Sequence, residues 1–164
     1  MKITKLIPLY IAALTLTVGA LGVIKTPQAS ASSVCGSGYN LLDVYSVKSL
    51  GRGVAPAGET IAQVNLYWNG SARKNCMVTS AYGKAYGVPI HYATAIGKDT
   101  KIQHGNGYST GWDDGSNGTY RYYAGPDYTA YQGYGSYCLD IQVDMYNPTT
   151  NVVLGSRYLY SVHC

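Results

Sequence analysis

The 164-residue sequence predicts an all-β protein, a single-domain antiparallel sandwich or barrel of seven to nine short strands with two disulfides. Three observations predict it. The segments between glycine turns are short and rich in Tyr, Val, Thr and Ile, and none has the period of a normal helix. Cys138 to Met145 (CLDIQVDM) alternates, with Leu139, Ile141, Val143 and Met145 on one face and Asp140, Gln142 and Asp144 on the other. Four cysteines, an even count, fall after a segment that reads as an export signal.

That leading segment comes first. Lys2 and Lys5 precede an apolar run from Leu6 to Ile24, and Ala29-Ser30-Ala31 follows in the small-x-small pattern of a cleavage site. Residues 1–31 are expected to be a secretory signal peptide. The run is also long enough for a membrane anchor, but the cleavage pattern and the lack of a basic block after it favour removal. Residues 32–164 then form one secreted β domain of 133 residues, of ordinary single-domain size. Lys2, Lys5 and Lys25 leave with the signal, so the formal +4 falls to about +1, nine basic residues against eight acidic. No basic patch for nucleic acid or a membrane surface remains.

The strands follow in order. Tyr39 to Val47 alternates in part. Thr60 to Trp68 (TIAQVNLYW) and Asn75 to Ser80 flank Asn69-Gly70 and read as a hairpin with a longer loop. Val88 to Ile96 and Thr100 to Gln103 are further strands. Gly105 to Gly118 is the longest irregular stretch and is expected to be a mobile loop. Tyr120 to Ala124 and Asp127 to Tyr131 are strands flanking a turn at Gly125-Pro126, which sets Tyr120 and Tyr122 on one face and Arg121 and Tyr123 on the other. Tyr131, Tyr134 and Tyr137, three apart among glycines, mark a loop. Val152 to Val162 closes the chain after a turn at Asn147 to Asn151. Val153, Tyr158 and Tyr160 are expected to pack inward against the apolar face of Cys138 to Met145.

The cysteines have no metal spacing, so Cys35, Cys76, Cys138 and Cys164 are read as disulfide partners. Cys35–Cys76 and Cys138–Cys164 are preferred as the shorter closures, the other two pairings remaining open.

Eighteen tyrosines and no phenylalanine pose the functional question. Tyr buries a large ring while its hydroxyl stays wet, so the rings read first as core on one strand face and sheet surface on the other, with a tyrosine-built binding face as the rival reading. Trp112, Tyr122, Tyr123, Tyr128 and Tyr131 are the candidate binding residues. Gly107-Tyr108-Ser109-Thr110-Gly111 spells G-x-S-x-G, and His163 completes a Ser-then-His order with Asp127, Asp140 or Asp144 between. Turn residues follow the motif where a helix is required, so a chance match in a glycine-rich loop is the better account. Asp113 to Gly118 (DDGSNG) has the look of a calcium loop, but Ala124 stands where the bidentate Glu belongs and a polar turn is favoured. His91, His104 and His163 have no ligand spacing, and no metal or other cofactor is implied. Asn69 and Asn117 lie in glycosylation-acceptor triplets that are also tight-turn sequences.

Several stretches together resemble the spore-associated protein A family of secreted actinobacterial proteins. Cys35-Gly36-Ser37-Gly38-Tyr39 with Asp43 is similar to its opening, and VNLYWNGSARKNCMVT (Val64 to Thr79) to its central strand and NCVVT segment. Tyr122-Tyr123-Ala124-Gly125-Pro126 is similar to its YYAGP, and Cys138-Leu139-Asp140 and His163-Cys164 to its last two cysteines. The likeness spans nearly all of residues 32–164. It departs at Ile141-Gln142-Val143, where the family has Trp-Gly-Gly, and in extra length after Tyr146. The resemblance implies an exported, disulfide-bonded β-protein of a cell or spore surface, and no catalytic residue.

The expected function is therefore a secreted, non-enzymatic protein of the cell or spore surface. Its partners would be cell-wall or spore-surface polysaccharide or protein, with no nucleic acid and no membrane after signal cleavage. The alternatives are a small secreted serine hydrolase using Ser109 and His163, and a secreted toxin or antimicrobial protein.

Overall fold

The computed structural model describes residues 34–99, 111–132 and 137–164. The expected signal peptide, the Thr100 to Gln103 strand, Ser109, His104 and Tyr134 lie outside the described residues. Eight strands are present among those described: β1 Asn40–Lys48, β2 Thr60–Asn69, β3 Lys74–Ala81, β4 Ile90–Asp99, β5 Asn117–Tyr120, β6 Tyr123–Tyr128, β7 Cys138–Tyr146 and β8 Val153–Val162. A 3₁₀ turn at Gly83–Ala85 joins β3 to β4. No helix among the described residues is long and apolar enough to cross a membrane.

The strands form two four-stranded sheets with every pair antiparallel, in the orders β1-β2-β3-β6 and β5-β4-β7-β8. The architecture is a sandwich. One seam is closed by the Leu50 N–H, which donates to the Leu154 carbonyl at 2.8 Å. There β8 passes so close to β1 that a Cβ on Gly155 would lie 2.6 Å from the Lys48 carbonyl oxygen.

Period-two patterning explains the core. Ala62, Val64 and Leu66 of β2 and Met77 of β3 face Ile90, Tyr92 and Ile96 of β4 and Leu139, Ile141, Val143 and Met145 of β7, all buried. Each such aliphatic side chain contributes about 1.5–3 kcal/mol of transfer free energy. The predicted apolar face of β7 is borne out. Its partner face is not as expected: Leu154, Leu159 and Val162 reach the core, whereas Tyr158 and Tyr160 are exposed. A bulge between Leu139/Ile141 and Val162/Leu159 resets the alternation of β8.

Polar residues on the other face of β7 are drawn into the sheet. Asp144 accepts hydrogen bonds from the Ser156 hydroxyl (2.6 Å), the Tyr158 hydroxyl (2.7 Å) and the Gln142 amide (2.8 Å), and Asp140 accepts from the Ser161 N–H (3.0 Å). Both carboxylates are buried beneath these donors.

The stretch around Gly125-Pro126 also departs from expectation. It is not a turn between two strands but the middle of β6, with a cis peptide between the two residues. Met77 pairs with Asp127 and Thr79 with Ala124, so two residues of β6 oppose Val78 alone and form a bulge. The bulge turns Asp127 inward, where its carboxylate accepts from the Thr94 and Ser116 hydroxyls, each at 2.6 Å. The actual turn is the bend at Arg121-Tyr122 between β5 and β6. Tyr120 therefore packs inward against Tyr92 (ring centroids 6.1 Å apart) and does not share a face with Tyr122.

Gly111 to Ser116, expected as part of a mobile loop, is laid along β4. Ser116 exchanges backbone hydrogen bonds with Thr94 and Asp114 with Ile96. Asp114 spends its carboxylate on the N–H groups of Gly115 and Tyr128.

Both preferred disulfides are present, Cys35–Cys76 and Cys138–Cys164. They lie at the same end of the sandwich, beside the first residues of β3 and β7. Cys35 and Cys76 belong to a second apolar cluster on the outer face of the first sheet, with Tyr67 and Val78, onto which Val34, Tyr39 and Tyr128 pack. Asn69 ends β2 as a turn residue. Its Oδ1 accepts from the N–H groups of Ser71 and Ala72, its Nδ2 donates to the Ser37 carbonyl, and it is buried, which fits the tight-turn reading.

Candidate functional site

The end of the sandwich opposite the disulfides carries four connections: Ser49 to Glu59, Tyr82 to Pro89, the Arg121-Tyr122 bend and Asn147 to Val152. Loops held on a rigid sheet are the usual place for binding residues. Two of these connections, Tyr82 to Pro89 and the Arg121-Tyr122 bend, and the first residue of β6 present exposed tyrosines there.

Tyr82 leaves β3 with its N–H donated to the Ile61 carbonyl at 2.9 Å, and its own carbonyl accepts from Ala85 at 3.1 Å to close the 3₁₀ turn. Ala85 is buried, which pins the turn and leaves Tyr82 and Tyr86 outside at 43% and 44% exposure. Gly83 supplies the positive φ (55°) that this reversal needs. The neighbouring bend is tied to the same turn by its backbone: Ala81 N–H donates to the Tyr122 carbonyl (2.7 Å) and Gly87 N–H to the Arg121 carbonyl (2.9 Å). The Arg121 guanidinium returns a bond to the Gly87 carbonyl at 3.0 Å. Tyr122 then lies over the turn, its ring centroid 5.2 Å from that of Tyr86 at an interplanar angle of 57°. Tyr123 is the next residue, exposed on the outer face of β6. Lys84 pairs with Glu59 at 2.9 Å across the same end. This exposed pair contributes less than about 1 kcal/mol.

The arrangement offers ring faces and edges, phenol hydroxyls and one guanidinium in a small exposed area. Such groups stack on and hydrogen-bond to polyhydroxylated or polar ligands.

Two of the five sequence-predicted binding residues, Tyr122 and Tyr123, belong to this group. The other three lie elsewhere. Tyr128 packs beside Tyr39 (5.8 Å between centroids) on the second apolar cluster, and its hydroxyl donates to the Cys35 carbonyl at 3.1 Å. Burial, then the Asp114 carboxylate, pushes the Tyr128 phenol above its ordinary value. Tyr131 is exposed near the β2–β3 hairpin under the Arg73 guanidinium, 5.8 Å from its ring centroid. The backbone at Trp112 passes over Gly97 near the far end of β4. The eight residues of β3 separate the two ends, and at about 3.3 Å per residue that is roughly 25 Å. The five residues therefore do not form one surface.

Tyr82 and Tyr86 were not among the expected residues. Their signal is present in Ala81-Tyr82-Gly83-Lys84-Ala85-Tyr86-Gly87, two tyrosines among glycines in a strand connection.

The hydrolase alternative rests on Ser109, outside the described residues, and on His163. The His163 Nε2 lies 3.0 Å from the Tyr45 hydroxyl and 3.7 Å from the Asp43 carboxylate. Burial, then Asp43, pushes the Tyr45 phenol up to about 12. The acid beside His163 is thus one that precedes the serine in the chain. Among the described residues no group of three or more His, Cys, Asp or Glu side chains is placed to hold a metal.

No family model, no curated protein and no solved structure matches this chain.

Proposed function

We propose that this is an exported, non-enzymatic protein of a cell or spore surface that binds glycan through the tyrosines of its loop end. The observation that carries the reading is the gathering of Tyr82, Tyr86, Tyr122 and Tyr123, exposed and drawn from separate segments, at the end away from both disulfides. Sugar rings present C–H faces that stack on aromatic rings and hydroxyls that bond to phenols. Export is supported by the leading basic and apolar segment with its Ala29-Ser30-Ala31 pattern, and two disulfides are compatible with it. The surface association rests on the resemblance to the spore-associated protein A family.

The test is co-sedimentation with insoluble cell-wall polysaccharide. The Tyr86→Ala/Tyr122→Ala double variant is expected to bind about tenfold or more weakly, a loss of about 1.4 kcal/mol or more. Trp112→Ala and Tyr131→Ala, at the opposite end, should leave binding nearly unchanged. Equal retention of the double variant and the unmutated chain would remove the proposal.

A further inference from the structure

We propose that Tyr86 and Tyr122 are a modification site, the two halves of an intramolecular dityrosine cross-link made by a peroxidase-type one-electron oxidant acting with hydrogen peroxide. The proposal does not rest on the glycan reading.

Three tyrosine–tyrosine ring contacts occur among the described residues, and they differ in access. Tyr92 and Tyr120 meet inside the core, with Tyr92 fully buried. Tyr39 and Tyr128 meet on the second apolar cluster, half-buried, with the Tyr128 hydroxyl donated to the Cys35 carbonyl. Tyr86 and Tyr122 form the closest pair, at 5.2 Å, and both are open to solvent, at 44% and 52% exposure. An oxidant that must reach the ring meets this pair first.

The backbone holds the pair ready. The bonds from Ala81 to Tyr122, from Gly87 to Arg121 and from the Arg121 side chain to Gly87 fix the two segments side by side. Coupling within one chain is therefore favoured over encounter between chains, as for any reaction whose partners are already adjacent.

The chemistry balances. Each phenol gives up one electron and one proton and becomes a phenoxyl radical. The two electrons and two protons reduce one hydrogen peroxide to two waters. The radicals couple through ring carbons ortho to their oxygens. The hydrogens on the newly bonded carbons then shift to the oxygens, restoring two aromatic phenols. The protein loses two hydrogen atoms and gains one carbon–carbon bond. That bond would join the β3–β4 connection to the β5–β6 bend, at the end of the sandwich that neither disulfide fastens.

The experiment treats dilute, folded full-length chain, both disulfides formed, with a peroxidase and hydrogen peroxide. The expected product is a monomer lighter by two hydrogens, with dityrosine fluorescence and a mapped peptide linking Tyr86 to Tyr122. Tyr86→Phe and Tyr122→Phe should each lower the yield of intramolecular product by about tenfold or more, since proximity drives the coupling. Tyr39→Phe and Tyr128→Phe should keep the yield. Far-UV circular dichroism of each variant confirms the fold before oxidation. Fluorescence confined to covalent dimers, or an undiminished intramolecular link in either of the first two variants, overturns the proposal.

Discussion

The Tyr92 hydroxyl is buried among apolar side chains and has no hydrogen-bond partner among the described residues. Burial pushes this phenol far above its ordinary value. An unpartnered buried hydroxyl costs about 1–3 kcal/mol, so Tyr92→Phe is expected to be tolerated and to raise stability by on the order of 1 kcal/mol. Thermal and urea unfolding would measure it, and a clear loss of stability would mean that the hydroxyl is bonded after all. In a chain without phenylalanine, Tyr92 shows that tyrosine is used even where only its ring is needed. Asp127 is the opposite case, a buried carboxylate with its own donors. Burial raises its pKa above the ordinary 3.8, the Ser116 and Thr94 hydroxyls oppose the rise, and the Asp114 carboxylate adds to it. The folded chain keeps this proton at pH values where the unfolded chain has lost it. Stability from this group therefore falls as pH rises from the ordinary carboxylate value through the raised one. Asp127→Asn should remove that component, so that its urea midpoint declines less with pH than that of the unmutated chain just above pH 4. Parallel pH profiles would contradict this. Asp127→Ala, which removes the acceptor of two hydroxyls, should cost about 1–3 kcal/mol below about pH 4, and the cost should shrink as pH rises through the raised value.

At the scale of elements, β7 was readable because a strand with one apolar face writes that face into every second residue. Its neighbours were less so. In β8 the bulge at Tyr160-Ser161 shifts the alternation, and Asp140 stabilises it through the Ser161 N–H. The inward positions then fall on Leu159 and Val162, and nothing local in the sequence marks that shift. In β6 the glycine-proline pair reads as a turn, but its pairing with Val78 makes it a bulge within one strand. Gly155 is a third such place. Alone it reads as a weak strand residue, yet a Cβ there would meet the Lys48 carbonyl oxygen at 2.6 Å and the Ile61 side chain at 2.9 Å. Gly155→Ala should therefore destabilise by about 1–3 kcal/mol through forced separation of β1 and β8. A denaturation midpoint equal to that of the unmutated chain would show that the seam is looser than described.

For the whole molecule, the distribution of covalent bonds is uneven. Both disulfides and the described ends of the chain, Val34 and Cys164, share one end, and the tyrosine-bearing loops occupy the other. Each bond is expected to contribute roughly 3–4 kcal/mol by restricting the unfolded chain. Replacing Cys35 and Cys76 by Ala should in addition free Val34 to Tyr39 and uncover Tyr67, Val78 and Tyr128. Hydrogen exchange followed by mass spectrometry would then show faster exchange in β1 and the first residues of β3, with β4 and β7 protected. Removal of Cys138–Cys164 should instead loosen the end of β8 near Val162 and His163. Identical exchange patterns in the two variants would contradict this division.

The sequence by itself determined the β class, the scale of seven to nine short strands, the inward face of β7 and the Asn69 turn, and it favoured, while leaving the alternatives open, the two disulfide pairs that the structure forms. These follow from local rules: period-two burial, turn chemistry and short loop closure act over a few residues or depend only on spacing. Tertiary structure alone decided which tyrosines serve the core and which form a surface. Tyr120 and Tyr122 stand two residues apart, yet one packs on Tyr92 and the other lies exposed over Tyr86, thirty-six positions away. A phenol ring is stable in either setting, so the side chain carries no mark of its place. The bend at Arg121-Tyr122 and its hydrogen bonds to Ala81 and Gly87 make that choice, and they exist only once the two sheets have assembled.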